Sequence, residues 1–285
     1  KSMKKAFITG VAGFIGSHLA DYLIEKKWNV WGVDNFLTGD KKNINAKVTF
    51  KKIDIRDYDK LSAFMKAVRP EHIFHLAAIA RTPWTIDDPL LCHETNTTGT
   101  LHVLLSARDA NVKKVVFASS NIVYAEYTPY FVSKITGELY MRSFDKIYGL
   151  PTVSLRFSNA YGSLRQSEKG PAINCIASLR QSKRRNGYVW ITGDGTQSRD
   201  FTHVTDIARA CLLAAQAEVH ADEIDICTGR NFTMNQIAKY FNCRIKYVAE
   251  RLGDVKHIAQ DPKKARKLLN FEAKKRLEDY IQVYL

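Results

Sequence analysis

The chain has no paired cysteines, no membrane-length apolar run and no linker, and each absence narrows what it can be. Its five cysteines, Cys92, Cys175, Cys211, Cys227 and Cys243, form no CxxC pair and stand beside no histidine set at ligand spacing. That argues against both a disulfide framework and a metal site and leaves reduced, mostly buried thiols. No stretch approaches the roughly 20 apolar residues that span a bilayer, and the start lacks the basic, apolar and small-residue succession of a signal peptide. No membrane partner and a cytoplasmic setting are the expectations. The seven prolines gather into no linker, and there is no repeat or low-complexity tract.

Acidic residues are the minority charge, 29 against 43 lysines and arginines, which gives a formal +14. Clustered cations bind nucleic-acid phosphates through counterion release. Here they are dispersed, the densest runs being "RQSKRR" from Arg180 and "KKARK" from Lys263. These read as solvated faces with a general attraction for anionic ligands, so nucleic acid is not an expected partner.

What is present is an alternation. Apolar runs at Lys4–Thr9, Asn29–Asp34, Lys47–Lys52, Glu71–Leu76, Lys113–Ser119 and Pro151–Phe157 are separated by helical spacing at Phe14–Lys27, Lys60–Arg69, Pro89–Ala110 and Pro129–Tyr148. Strands joined by helical crossovers form a parallel sheet covered on both faces, which predicts an α/β, doubly wound (Rossmann) architecture. Past residue 160 the alternation loosens into helices over Pro171–Arg185 and Val204–Ala217, short strands near Tyr188–Thr192 and Glu223–Ile226, and a basic amphipathic tail. The expected division is a nucleotide domain over residues 3–160, its last elements interleaved with later chain, and a smaller C-terminal α/β substrate lobe over 161–285.

"ITGVAGFIGSHL" places Gly10, Gly13 and Gly16 between the first strand and the first helix. Glycines there allow a tight turn and close approach of backbone to a pyrophosphate, which the helix N-terminus attracts. Asp34 closes the second strand, where a carboxylate accepts hydrogen bonds from adenosine ribose hydroxyls and repels a 2′-phosphate, so NAD is expected over NADP. Asp54 and Ile55, ending the third strand, stand either at the adenine edge or in a turn capping the next helix. Ser119 and Ser120 end the fifth strand, where ligands gather in such sheets. Tyr130 and Lys134 are one helical turn apart and share a face. A tyrosine, with an unperturbed pKa of about 10, becomes a proton acceptor near neutral pH when cations lie close to it. Isolated, each of these signals is weak; their order along one chain gives them weight.

The blocks "TGVAGFIGSHL", "VDNFLTG", "IDIRD", "HLAA", "NTTGTLHVL", "VVFASSNIVY", "PYFVSK", "LRFSNAYG", "GDGTQSRDFTHVTDIARA" and "RLGDVKHIAQD" run through nearly the whole chain. In that order they resemble the extended short-chain dehydrogenase/reductase superfamily, within it the NAD-dependent nucleotide-sugar epimerase/dehydratase group. The resemblance implies a cofactor site of Gly10, Gly13, Phe14, Ile15, Gly16, Asp34, Asn35, Asp54, Ile55, Leu76, Ala77, Ala78, Asn96, Ser119, Tyr130 and Lys134. It implies Tyr130 as general base and acid, Lys134 as its partner, and Ser120 as a hydroxyl on the sugar oxygen. Asn159, Arg199 and Arg251 are implied in binding the nucleotide diphosphate, and Asp254 in binding the substrate, which is expected to be UDP-linked. A homodimer is a further implication.

The tripeptide Ser120-Asn121-Ile122 separates reactions within that group. Sugar 4,6-dehydratases carry an acidic pair there and related decarboxylases a glutamate at the place of Ile122, whereas this chain has no carboxylate. The expected reaction is C4 epimerisation of a UDP-hexose or UDP-N-acetylhexosamine by oxidation and re-reduction. The alternatives are a nucleotide-sugar reductase, a 3,5-epimerase or, more remotely, a dehydratase or decarboxylase, and a non-catalytic nucleotide- or RNA-binding relative. Ile258 falls where the family sets room for an N-acetyl group, and Thr192 at a place that is often aromatic. The connection from Tyr124 to Tyr130 is shorter than in the family, and Ala125 replaces a glycine. The expectation is a lid segment missing from between them; a true shortening would leave Tyr130 misplaced.

Overall fold

The computed structural model describes residues 3–125, 127–163, 165, 174–250 and 254–284. Six strands, β1 (Lys5–Thr9), β2 (Asn29–Asp34), β3 (Thr49–Lys52), β4 (His72–His75), β5 (Lys114–Ser120) and β6 (Thr152–Phe157), alternate with helices as the apolar periodicity requires. Three strands follow in the second half, β7 (Asn159–Tyr161), β8 (Tyr188–Thr192) and β9 (Ser198–His203), and then β10 (Asp222–Ile226), β11 (Asn231–Thr233) and β12 (Arg244–Val248). The main sheet has seven parallel strands in the order β10-β6-β5-β4-β1-β2-β3. The reversal of direction between β1 and β4 opens a crevice at their C-terminal ends, the usual ligand position in open α/β sheets.

Both faces of the sheet are covered. One carries Ile8, Phe74, Val116 and Leu155 against the helices Phe14–Glu25, Val204–Gln216 and Lys263–Leu269; the other carries Phe7, Ile73, Val115 and Phe117 against Tyr58–Val68, Gly99–Asp109 and Pro129–Tyr148. Burial on both faces accounts for strands that read as continuous apolar runs. A third core, with Tyr161, Ile191, Phe201, Phe241 and Ile281, lies in the smaller lobe built around β7, β8, β9, β11 and β12. β10 pairs with β6 in the main sheet, so the chain returns to the first layer after visiting the lobe.

The segment expected as one helix over Pro89–Ala110 is three joined pieces, with a π-helical turn at His93–Thr98 between α-helical Pro89–Cys92 and Gly99–Asp109. Apolar spacing does not separate a widened turn from the 3.6-residue repeat around it. The helix expected from Pro171 is described from Cys175 to Asn186, residues 171–173 lying outside the described part. Among the described residues, no helix is long and apolar enough to cross a membrane.

Candidate active site

The crevice between the ends of β1, β2 and β4 is a cleft of about 520 Å³ lined by Gly10, Gly13, Asp34, Asn35, Ile55, Leu76, Ala77 and Ala78, all expected from sequence, and by Val33, Leu37, Thr38, Ile53, Ile79 and Thr95. Gly10 takes a left-handed φ of +74°, and a Cβ built on Gly16 would stand 2.1 Å from the Gly10 carbonyl oxygen. A side chain at Gly16 would therefore push the helix off the turn. That helix begins at Phe14, with Ile15 turned into the core, and no side chain caps its N-terminus, so its first amide groups remain available to an anion.

Asp34 is buried, and its carboxylate accepts from the Ala12 amide at 3.0 Å and the Phe36 amide at 2.8 Å. Burial raises its pKa above the usual carboxylate range, against the pull of those amides. The remaining lone pairs suit ribose hydroxyls. Asp54 does not cap the following helix; Asp57 does, accepting from Lys60 N at 3.2 Å. Asp54 instead accepts from Asn35 Nδ2 at 2.9 Å and from Arg56 Nε and Nη2 at 3.1 and 2.9 Å. Partial burial raises its carboxyl, but the Arg56 and Asn35 hydrogen bonds outweigh that and hold it at about 2. The glycine turn and the open helix N-terminus fit a pyrophosphate, and the buried strand-end carboxylate fits a dinucleotide without a 2′-phosphate.

Ser120 ends β5 and heads the turn Asn121–Tyr124, whose Ile122 packs against Tyr130. Thr128 caps the Pro129–Tyr148 helix by accepting from Phe131 N at 3.1 Å, and Pro129 occupies its first position. This cap places Tyr130 in the opening turn, directly beside the strand end. Tyr130 thereby packs on the turn that follows Ser120, against Ile122 and Ala125. Burial pushes the Tyr130 hydroxyl up to about 12, with the Ser120 hydrogen bond and the Arg81 charge acting in the opposite direction and the Cys92 thiol adding to the rise. Lys134 is also buried, its ammonium donating to the Ala118 carbonyl at 2.7 Å and lying 5.8 Å from the centre of the Tyr130 ring.

Burial lowers Lys134 to about 8, against the raising influence of Cys92 and Glu138. The folded chain therefore binds fewer protons than the unfolded one between about pH 8 and the ordinary lysine value of 10.5. Stability attributable to this group rises with pH across that window, and its full penalty, about 3 kcal/mol, is present below it. Lys134→Met removes the penalty and one hydrogen bond worth about 1 kcal/mol. Urea unfolding at pH 7 should show the variant about 2 kcal/mol more stable than the parent, the difference shrinking by pH 10. A variant less stable at pH 7 would show that the ammonium is not strained.

The other expected cofactor residues have supporting positions. Asn96, buried, accepts from Ile79 N at 2.8 Å and donates to Ile79 O at 2.9 Å and Ser133 Oγ at 3.1 Å, bracing the cleft wall against the helix that carries Tyr130 and Lys134. Ser119 is buried and donates to Glu138 Oε1 at 2.6 Å. On the substrate side, Asn159 on β7 pairs with Phe201 on β9, the strand that carries Arg199. A second cleft of about 550 Å³ is lined by Thr192, Gly193, Asp194, Gln197, Asp254 and Val255 among others, and Thr192 Oγ1 donates to Asp254 at 3.0 Å. Arg251 lies outside the described residues. Ile258 is buried, 5% exposed. Val255 joins the two regions, because it also packs on the cluster of Ile122, Ala125 and Tyr130.

Sequence reasoning missed two supports. His75 is fully enclosed, bridging Thr9 Oγ1 at 2.7 Å and Thr100 Oγ1 at 2.9 Å, and burial lowers it to about 3, so the ring is neutral. It ties the ends of β1 and β4 to the helix beneath the cleft. Glu138, one turn past Lys134, accepts from Ser119 and from Arg156 at 2.7 and 2.8 Å; Arg156 also donates to Tyr124 Oη at 2.9 Å, whose hydroxyl donates to Asp225 at 2.9 Å. The i, i+4 spacing of Lys134 and Glu138 was the available signal.

The NAD dependent epimerase/dehydratase family model matches residues 6–227. The structure superposes on a UDP-glucose 4-epimerase of Thermotoga maritima solved with UDP-glucose, with a TM-score of 0.94, 33% identity, and coverage of 98% of this chain and 96% of that one. A UDP-N-acetylglucosamine 4-epimerase of Methanobrevibacter ruminantium, in complex with UDP-N-acetylmuramic acid, gives a TM-score of 0.91 at 32% identity, covering 99% and 97%. A UDP-glucuronate 4-epimerase of Thermodesulfobacterium geofontis is 31% identical over 95% of this chain and 92% of its own.

Proposed function

Since the chain belongs to the NAD-dependent epimerase/dehydratase family, we propose that it inverts C4 of a UDP-linked hexose or N-acetylhexosamine. The observation that carries this reading is the convergence of buried Tyr130 and Lys134, one turn apart on the helix Pro129–Tyr148, on the C-terminal end of β5: Lys134 donates to the Ala118 carbonyl, and Tyr130 packs on the turn that follows Ser120 and on Val255, which also lines the second cleft. Bound NAD supplies the hydride acceptor and, on the return step, the donor, so net redox is zero.

The chain's own groups handle the proton and the orientation. Tyr130 Oη takes the proton of the sugar 4-hydroxyl and later returns it, while Ser120 holds the oxygen that gains and loses charge. Lys134 keeps a cation beside the tyrosine, and its hydrogen bond to Ala118 fixes where that cation sits. The second cleft, with Asp254 and Thr192, takes the nucleotide end, and Asn159 and Arg199 approach its diphosphate. Ile122 is apolar where elimination would need a carboxylate, which favours epimerisation over dehydration.

Incubation with NAD and, separately, UDP-glucose, UDP-N-acetylglucosamine and UDP-glucuronate, followed by proton NMR, tests this. The C4 epimer of one of them should appear without accumulation of NADH; conversion of none would contradict the reading. The homodimer is proposed on the Pro129–Tyr148 helix, whose Val132, Leu139 and Ile147 are 55%, 55% and 71% exposed at a spacing that lines one face. Sedimentation velocity should give twice the chain mass.

A further inference from the structure

We infer that Phe117 is a positioning residue for the proposed proton transfer: the face of its ring holds the Lys134 ammonium beside Tyr130 through a cation–π contact. The inference rests on the epimerase reading and deepens it. An ammonium carries three N–H donors. Among the described residues that of Lys134 meets one acceptor, the Ala118 carbonyl at 2.7 Å, although the residue is only 4% exposed. What else it faces is aromatic, since its Nζ lies 4.9 Å from the centre of the Phe117 ring and 5.8 Å from that of Tyr130. Successive residues of β5 thus supply the ring and the carbonyl.

The helix makes room for this ring at Gly137, three residues past Lys134. A Cβ there would stand 2.5 Å from Phe117 Cζ and 2.9 Å from Cε1. Glycine inside a helix is less stable than alanine, so the helix Pro129–Tyr148 carries a destabilising residue where the ring tip enters. An aliphatic side chain would bury as well on this face of the sheet, as Ile73 and Val115 do, but only a π-face attracts a cation. The other groups that face the ammonium are Tyr130 and Glu138 on its own helix, Cys92 on the helix Pro89–Cys92 and His75 on β4. His75 is neutral, burial keeps the Cys92 thiol protonated, and Glu138 is paired with Arg156. The ring therefore joins Glu138 and the Ala118 carbonyl in favouring the charged lysine where burial opposes it.

The test compares the NAD-loaded parent with Phe117→Leu and with a protein carrying 3,5-difluorophenylalanine at position 117 alone, in which fluorine draws electron density off the face of a ring of nearly unchanged shape. The first readout is the titration midpoint of Lys134, followed by NMR on isotope-labelled lysine side chains and assigned with Lys134→Met. It should fall by about 1 pH unit in Phe117→Leu and by about half as much in the fluorinated protein. The second is the pH profile of kcat on whichever of UDP-glucose, UDP-N-acetylglucosamine and UDP-glucuronate the parent converts. A lower midpoint removes the cation at lower pH, so Phe117→Leu should stay within about twofold of the parent at pH 6 and fall about 5- to 10-fold below it at pH 8.5, with KM little changed. A midpoint that moves in neither protein, or a loss of equal size at every pH, would overturn the assignment and leave Phe117 as core packing. If Phe117→Leu does not fold, the fluorinated ring decides by itself. The midpoint is read without turnover, so a parent that converts none of the three sugars would defeat the epimerase reading, while the hold of Phe117 on Lys134 would still stand or fall on the titration.

Discussion

Replacing Tyr130 with phenylalanine leaves the chain folded and its NAD in place while lowering kcat by about 10²–10⁴-fold. The aromatic ring provides the packing against Ile122, Ala125 and Val255, and phenylalanine preserves it. Only the hydroxyl is lost. The protein's own groups leave that hydroxyl at about 12, so its proton becomes labile only as cationic charge gathers around it, which makes the residue sensitive to substrate and cofactor binding. Steady-state kinetics together with the nucleotide content of the purified variant check this. Activity within threefold of the parent would remove Tyr130 from the chemistry.

Glu138→Ala should lower stability by about 3–5 kcal/mol in urea unfolding. Its side chain is 2% exposed and that of Arg156 is 18% exposed, so truncation leaves a guanidinium with little water and no carboxylate. A guanidinium stays protonated even without its carboxylate, so that charge cannot be relieved by deprotonation. Ser119 loses its acceptor at the same time. Through Arg156 the carboxylate also steadies Tyr124, the residue that ends the turn carrying Ser120 and Asn121. Glu138→Gln keeps the shape and part of the bonding and should fall between. A loss below about 1 kcal/mol for Glu138→Ala would mean that water replaces the carboxylate.

Elements marked by local chemistry were legible in the sequence. The helix Pro129–Tyr148 has the expected ends because Thr128 and Pro129 start it and Gly149, at φ +63°, stops it. β8 has the expected ends because Gly187 and Gly193, both with positive φ, bracket it. The cradle was legible for the same reason, since glycines in a strand-to-helix turn leave a spacing in the chain. Tertiary choices were not. β10 was read as a short strand of the lobe, and nothing in its five residues specifies β6 as neighbour; a parallel pairing across some 65 residues of chain leaves no local trace. Glu138, Arg156, Tyr124 and Asp225 come from four separate elements, and each alone resembles a surface residue. The connection after Tyr124 is short in the sequence, and its length alone says nothing of the Thr128 cap that starts the helix carrying Tyr130.

The central claim is that C4 is oxidised and reduced again by the same hydride, with Tyr130 carrying the proton. The most direct measurement follows a UDP sugar deuterated at C4 through a single conversion in ordinary water, with the reverse experiment of unlabelled sugar in deuterium oxide. Retention of the label at C4 of the epimer, with no solvent deuterium at C3 or C5, is the predicted result. Washout of the C4 label, or deuterium entering C3 or C5, would place the chemistry at the neighbouring carbons and contradict the account.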